Sequence, residues 1–151
     1  MAVKERKAQY MNYYIGSLTK INKDTMYNPL QIAYIILGIA AKRSIYLTPF
    51  QLIRVVYIVY VIYKVSKQKQ LFKGSPKQWS FSKIISELWK AFRPFGIGPI
   101  KGAIGKKYRI SRTDINFFEF LFDRHIKSNL KKLKTSRVKP LIEKIKKELD
   151  L

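Results

Sequence analysis

The chain has 151 residues, 47% of them hydrophobic and 14% aromatic, so one ordinary domain around a single core is expected and a disordered polypeptide is not. Lys and Arg number 31 against 9 acids, a formal net charge of +22 that repels itself unless a polyanion or an acidic protein surface neutralises part of it. There is no Cys, which excludes disulfide frameworks, thiolate metal sites and cysteine nucleophiles.

The positive excess is spread out: residues 1–75 carry 12 basic and 2 acidic side chains, residues 76–151 carry 19 and 7. A coding bias toward Lys, Ile and Tyr would inflate the acids nearly as readily, and the acids are what is missing, so the charge reads as an association signal. Met1 to Lys7 is charged and leads into polar, Tyr-rich sequence without an apolar segment, so a secretory leader is not expected and the cytosol is the expected location.

Residues 1–27 form a basic lead-in, expected as a short helix that packs Tyr10, Tyr13 and Tyr14 on the domain. Asn28-Pro29-Leu30-Gln31 supplies an N-cap side chain, a proline preset for the first helical position and a Gln able to complete a capping box, which predicts a helix to about Lys42. Thr48-Pro49-Phe50-Gln51 repeats the device ahead of a long Ile/Val/Tyr run. That run, Ile45 to Val65, is long enough for a membrane span, but Pro49, Gln51 and Arg54 interrupt it and the apolar stretch Leu30 to Ala41 can bury it. A core helix is therefore expected, and no membrane partner.

Lys67 to Lys77 contains Gly74-Ser75-Pro76 and predicts a turn, with a short extended piece around Leu71-Phe72. Ser82 is the expected cap of a third helix carrying Ile84, Ile85, Leu88, Trp89 and Phe92 on one face and stopped by Arg93-Pro94. The Gly-rich loop 95–107 resembles a phosphate cradle only superficially. A P-loop needs Gly five positions before its Gly-Lys pair and Ser or Thr after it, where this chain has Ile100 and Lys107. Thr113 is the expected cap of an amphipathic helix with Ile115, Phe118, Phe122, Ile126, Leu130 and Leu133 at three- and four-residue steps. A last helix is expected to start at Pro140, with Leu141, Ile142, Ile145 and Leu149 on its apolar side. From Arg124 to Glu148 there are 10 basic and 2 acidic residues, the densest positive stretch in the chain.

Catalytic chemistry is sparse. His125 is the single histidine and lies beside an apolar helix face, which suits a structural or surface role. Glu119 and Asp123 have the four-residue spacing of a metal-binding acid pair, but Lys127 four positions further on makes an ion-pair ladder the better reading. The runs Lys131-Lys132-Leu133-Lys134 and Lys144-Ile145-Lys146-Lys147 suit phosphates and acidic protein surfaces equally, and no helix-turn-helix, zinc-finger or ribonucleoprotein signature separates the two.

The stretch from Tyr27 to Ile100 resembles the Panacea domain, the SocA-like, phage-associated family of antitoxins. The resemblance rests on Ile32-Ala33-Tyr34-Ile35-Ile36-Leu37, on Leu47-Thr48-Pro49-Phe50-Gln51-Leu52 with Arg54, Val56 and Tyr57, on Gln70-Leu71-Phe72, on Trp79 and Trp89, and on Phe95-Gly96-Ile97-Gly98-Pro99-Ile100. That family places Gly-Pro shortly after the tryptophan, where this chain reads Trp79-Ser80-Phe81-Ser82-Lys83. The resemblance implies a compact helical fold that neutralises a toxin by protein contact, without enzymatic activity.

The expected architecture is mainly α: a single-domain helical bundle with one short extended segment in 67–80, a core over 28–112 and a basic C-terminal helical hairpin over 113–151. The expected function is partner binding without a cofactor. An acidic protein, a toxin or a defence protein, is the first candidate, and nucleic acid or a nucleic-acid-guided defence nuclease the second. Expected partner-facing residues are Trp79, Lys83, Arg93, Phe95, Lys101, Lys106, Lys107, Lys131, Lys132, Lys134, Lys144, Lys146 and Lys147.

Overall fold

The first two helices begin where their capping boxes put them. In the computed structural model, which describes residues 13–15, 27–74, 78–101 and 108–151, α1 spans Pro29–Lys42 and α2 spans Pro49–Lys67. The Asn28 Oδ1 accepts from the Gln31 amide at 2.9 Å while Gln31 Oε1 accepts from the Asn28 amide at 2.8 Å. Thr48 and Gln51 make the same reciprocal pair at 3.2 and 3.0 Å. Each box satisfies two amides that a helix start leaves without partners.

The hub is α2. It packs against α1, against α3 (Phe81–Phe92) and against α5 (Thr135–Glu148), so apolar residues are needed on most of its circumference. Leu52, Val55, Val56, Ile58, Val59 and Ile62 are all buried. By length and composition α2 is the one helix among the described residues that could cross a membrane, and here its apolar surface meets neighbouring helices. The architecture is that of a compact, mainly α domain.

Several local expectations are corrected. The lead-in contributes a strand where a helix was expected: β1 (Tyr13–Ile15) pairs in parallel with β2 (Tyr108–Ile110) in the register Tyr13↔Tyr108, Tyr14↔Arg109 and Ile15↔Ile110. Aromatic and β-branched residues make up β1 and flank Arg109 in β2, which suits a pleated surface. Tyr13 is buried, in keeping with its expected packing on the domain, whereas Tyr10 lies outside the described residues. The extended piece at Leu71-Phe72 forms as expected: the Tyr27 amide donates to the Leu71 carbonyl and the Lys73 amide to the Tyr27 carbonyl, both at 2.9 Å.

The cap of α3 is Ser80, whose Oγ accepts from the Lys83 amide at 3.1 Å; Ser82 lies inside the helix. Starting the helix at Phe81 sets that ring 4.6 Å from Tyr57. Likewise Ser111, not Thr113, caps α4 (Arg112–Leu121), accepting from the Asp114 amide at 3.0 Å. The expected single helix beyond it is three segments: α4, a π-helical turn over Phe122–Ile126 and a 3-10 segment over Lys127–Lys132. The reason lies in the spacing. Phe118, Phe122, Ile126 and Leu130 are three successive four-residue steps, and on a regular α-helix each over-rotates by about 40°. The wider π turn takes up that drift, and all four side chains remain buried. Finally, α5 starts at Thr135 and contains Pro140; the earlier start brings Val138 onto the buried face with Leu141, Ile142 and Ile145.

Candidate functional site

The acids of the described chain are mostly engaged internally. Arg43, at the C-cap of α1, grips Asp123 with Nε on one carboxylate oxygen and Nη2 on the other at 2.8 Å, and reaches Glu119 at 3.8 Å. Lys42 stands 3.9 Å from Glu119 and Lys127 3.6 Å from Asp123. The Arg43 guanidinium holds the Asp123 carboxyl below its ordinary range, and Asp123 in turn raises that of Arg43. This geometry supports the ion-pair reading of Glu119 and Asp123. Among the described residues no group of three His, Asp or Glu side chains is placed to hold a metal ion. His125 Nδ1 lies 2.9 Å from Glu148, Glu87 pairs with Lys83 at 3.1 Å and Glu143 with Lys146 at 3.5 Å. Asp114 is buried and accepts from Tyr27 Oη at 2.8 Å and Tyr63 Oη at 3.1 Å.

The surplus cations gather where α5 meets the 3-10 segment. A groove of about 270 Å³ has Leu133, Pro140 and Leu141 as its floor and Lys132, Arg137 and Lys144 on its rim. Those three cations are exposed, and none pairs with a carboxylate among the described residues. Lys131, Lys134 and Lys147 are exposed around it, and Lys146 is half-buried against Glu143.

What holds this segment in place is the N-terminal half of α2. Gln51 Nε2 donates to the Leu130 carbonyl at 3.3 Å, and Arg54 donates through Nη1 to the Leu133 carbonyl at 2.9 Å and through Nη2 to Thr135 Oγ1 at 3.2 Å. Arg54 also helps line a second groove of about 260 Å³, whose walls are Phe50, Ile53, Phe81, Ile85 and Trp89, with Thr135 at its edge. Phe50 stacks on Trp89 with centroids 5.2 Å apart, and the Arg54 guanidinium lies 5.6 Å from the Phe50 ring. Partial burial lowers the Arg54 pKa from its ordinary value.

The sequence-expected residues divide accordingly. Lys132 and Lys144 come together on the rim, with Lys131, Lys134 and Lys147 nearby. Trp79 is half-buried, its indole N–H donating to the Lys73 carbonyl at 2.8 Å and its ring edge-on to Phe72, so it serves the fold. Lys83 and Arg93 are exposed on and beyond α3; Lys101 lies 5.5 Å over the Tyr46 ring. Phe95, 38% exposed, leans on Phe92 with centroids 6.3 Å apart, just ahead of Gly96 and the 85% exposed Ile97. Lys106 and Lys107 lie outside the described residues. Arg137, Phe50, Arg54 and Ile85 were not among the expected site residues. Arg137 stands outside the Lys runs, and Phe50, Arg54 and Ile85 read as parts of core helices. No protein-family model matches the chain, and no curated protein or solved structure shows significant similarity to it.

Proposed function

We propose that this chain is a non-enzymatic binding protein that takes an acidic protein on the face formed by α5 and the preceding 3-10 segment. The observation that supports the reading is the composition of the α5 groove: three cations with no carboxylate partner among the described residues, around an aliphatic floor of Leu133, Pro140 and Leu141. A surface for single-stranded nucleic acid combines cations with aromatic platforms for the bases, and the lining of the α5 groove has no aromatic ring. Carboxylates set among apolar side chains fit it better, with the charge speeding association and selecting the partner. The likeness of Tyr27–Ile100 to the Panacea domain adds a class of partner, a toxin neutralised by contact.

The test is co-precipitation from host or phage-infected lysate with and without nuclease, comparing the wild type with Lys132→Glu/Arg137→Glu/Lys144→Glu. An acidic protein retained after nuclease treatment and lost by the triple variant is the expected result. Nucleic acid alone, released by salt with a steep slope, would overturn the reading in favour of phosphate binding.

A further inference from the structure

We propose that the α5 groove and the aromatic α2–α3 groove form one receptor for a single acidic segment. One large apolar side chain of that segment seats against Phe50, Ile85 and Trp89, and its neighbouring carboxylates meet Arg54, Lys132, Arg137 and Lys144. The proposal rests on the preceding reading and extends it by adding the apolar anchor.

Three observations carry it. First, the grooves share a wall. Leu133 lines one and Thr135 borders the other, and Arg54 is hydrogen-bonded to both residues. Second, at about 270 and 260 Å³ each groove has room for a side chain or two, as an extended segment running from one to the other requires. Third, the charge is of one sign. Arg54 has no carboxylate partner among the described residues, no acid lines either groove, and a carboxylate beside the partly desolvated guanidinium would offset its burial. The Phe50–Trp89 stack already fixes the aromatic wall, so little side-chain ordering remains to oppose binding.

A random peptide library displayed on phage and selected against the immobilised full chain tests this. Selected sequences are expected to combine Asp or Glu with one Trp, Phe or Leu. A synthetic consensus peptide is expected to lose at least about tenfold in affinity with Phe50→Ala or Trp89→Ala, and as much with the triple charge reversal. Phe50 is 42% exposed, so its variant folds even if Trp89→Ala does not. Acidic peptides without an apolar anchor, indifferent to both aromatic variants, overturn the two-groove receptor and leave the basic-face reading standing. Peptides without acids, indifferent to the charge reversal, overturn both. Concentration-dependent self-association abolished by Phe50→Ala would assign the aromatic groove to a second copy of this chain and likewise overturn the receptor.

Discussion

Asp114 is the residue whose surroundings are least forgiving. Its carboxylate accepts from two tyrosine hydroxyls, one from the Tyr27 bridge and one from α2, while its amide is held by the Ser111 cap at the start of α4. Asp114→Ala would leave the buried Tyr63 hydroxyl without its acceptor and the Tyr27 hydroxyl with Ser111 alone, and a loss of about 2–4 kcal/mol in urea unfolding is expected. A loss below about 0.5 kcal/mol would mean that water replaces the carboxylate without penalty. The same cluster sets an alkaline limit. Burial first, and the negative charge of Asp114 second, raise the Tyr27 and Tyr63 hydroxyls well above the ordinary 10.0; burial and Glu119 do so for Tyr13. Because the folded values are raised, the stability these groups contribute is fully present below pH 10.0 and is lost as pH rises through the folded values. In an alkaline titration followed by tyrosinate absorbance, Tyr13, Tyr27 and Tyr63 are expected to ionise together with unfolding, well above pH 10.0. Ionisation of all tyrosines in one phase while the helical circular dichroism signal persists would contradict this. At the candidate site, Lys132 and Lys144 were legible in the sequence because they sit in Lys runs. Phe50 and Arg54 were not, because their groove exists only after α3 and the turn at 133–135 close on α2.

Helix starts depend on four consecutive residues, and the sequence reveals them when only one candidate is present. Asn28 and Thr48 stand alone before their prolines, and both boxes form as expected. Ser80 competes with Ser82, and Ser111 with Thr113; in each case the earlier residue wins because it brings another group into contact, Phe81 onto Tyr57 and Asp114 onto the two tyrosines. The structure therefore predicts an asymmetry. Ser80→Ala should cost about 1 kcal/mol and Ser82→Ala almost nothing, with the same contrast between Ser111→Ala and Thr113→Ala. Equal effects within either pair, in thermal or urea melts, would reverse the cap assignment. Two other features escape local reading. The β1–β2 pair joins segments separated in the chain by α1, α2 and α3, and the π turn answers a phase drift that builds up over several helical turns. Pro140 is a different case: it cannot donate to the Ser136 carbonyl, and an interior proline costs about 3 kcal/mol relative to Ala. Pro140→Ala is expected to raise the melting temperature while reducing the apolar floor of the α5 groove; a fall in stability would show that the ring's packing outweighs the missing hydrogen bond.

Across the whole molecule the balance is between an apolar hub and a surface that repels itself. The α2 helix supplies burial to α1, α3 and α5 at once, which lets one domain tolerate a net charge of +22. The described acids are largely committed to their own ion pairs, so added salt acts on two opposed quantities. It screens pairs such as Lys83–Glu87 and Lys146–Glu143, exposed contacts worth under about 1 kcal/mol each. It also screens repulsion among the cations of α5 and the 3-10 segment, where the screening length falls to about 10 Å at 0.1 M salt. Among the described residues, cations without a carboxylate partner outnumber the pairs there, so repulsion decides the sign. The melting temperature should rise with ionic strength, by about 2–4 °C for each kcal/mol of repulsion removed. The triple reversal at Lys132, Arg137 and Lys144 gives the internal control, since each change removes two positive charges and the net charge falls from +22 to +16. That variant should be more stable than the wild type in low salt and show a flatter dependence on salt, even though it has lost the partner-binding rim. If its salt dependence matches the wild type's, the repulsion is not concentrated at this groove, and the case for a partner that neutralises this face weakens with it.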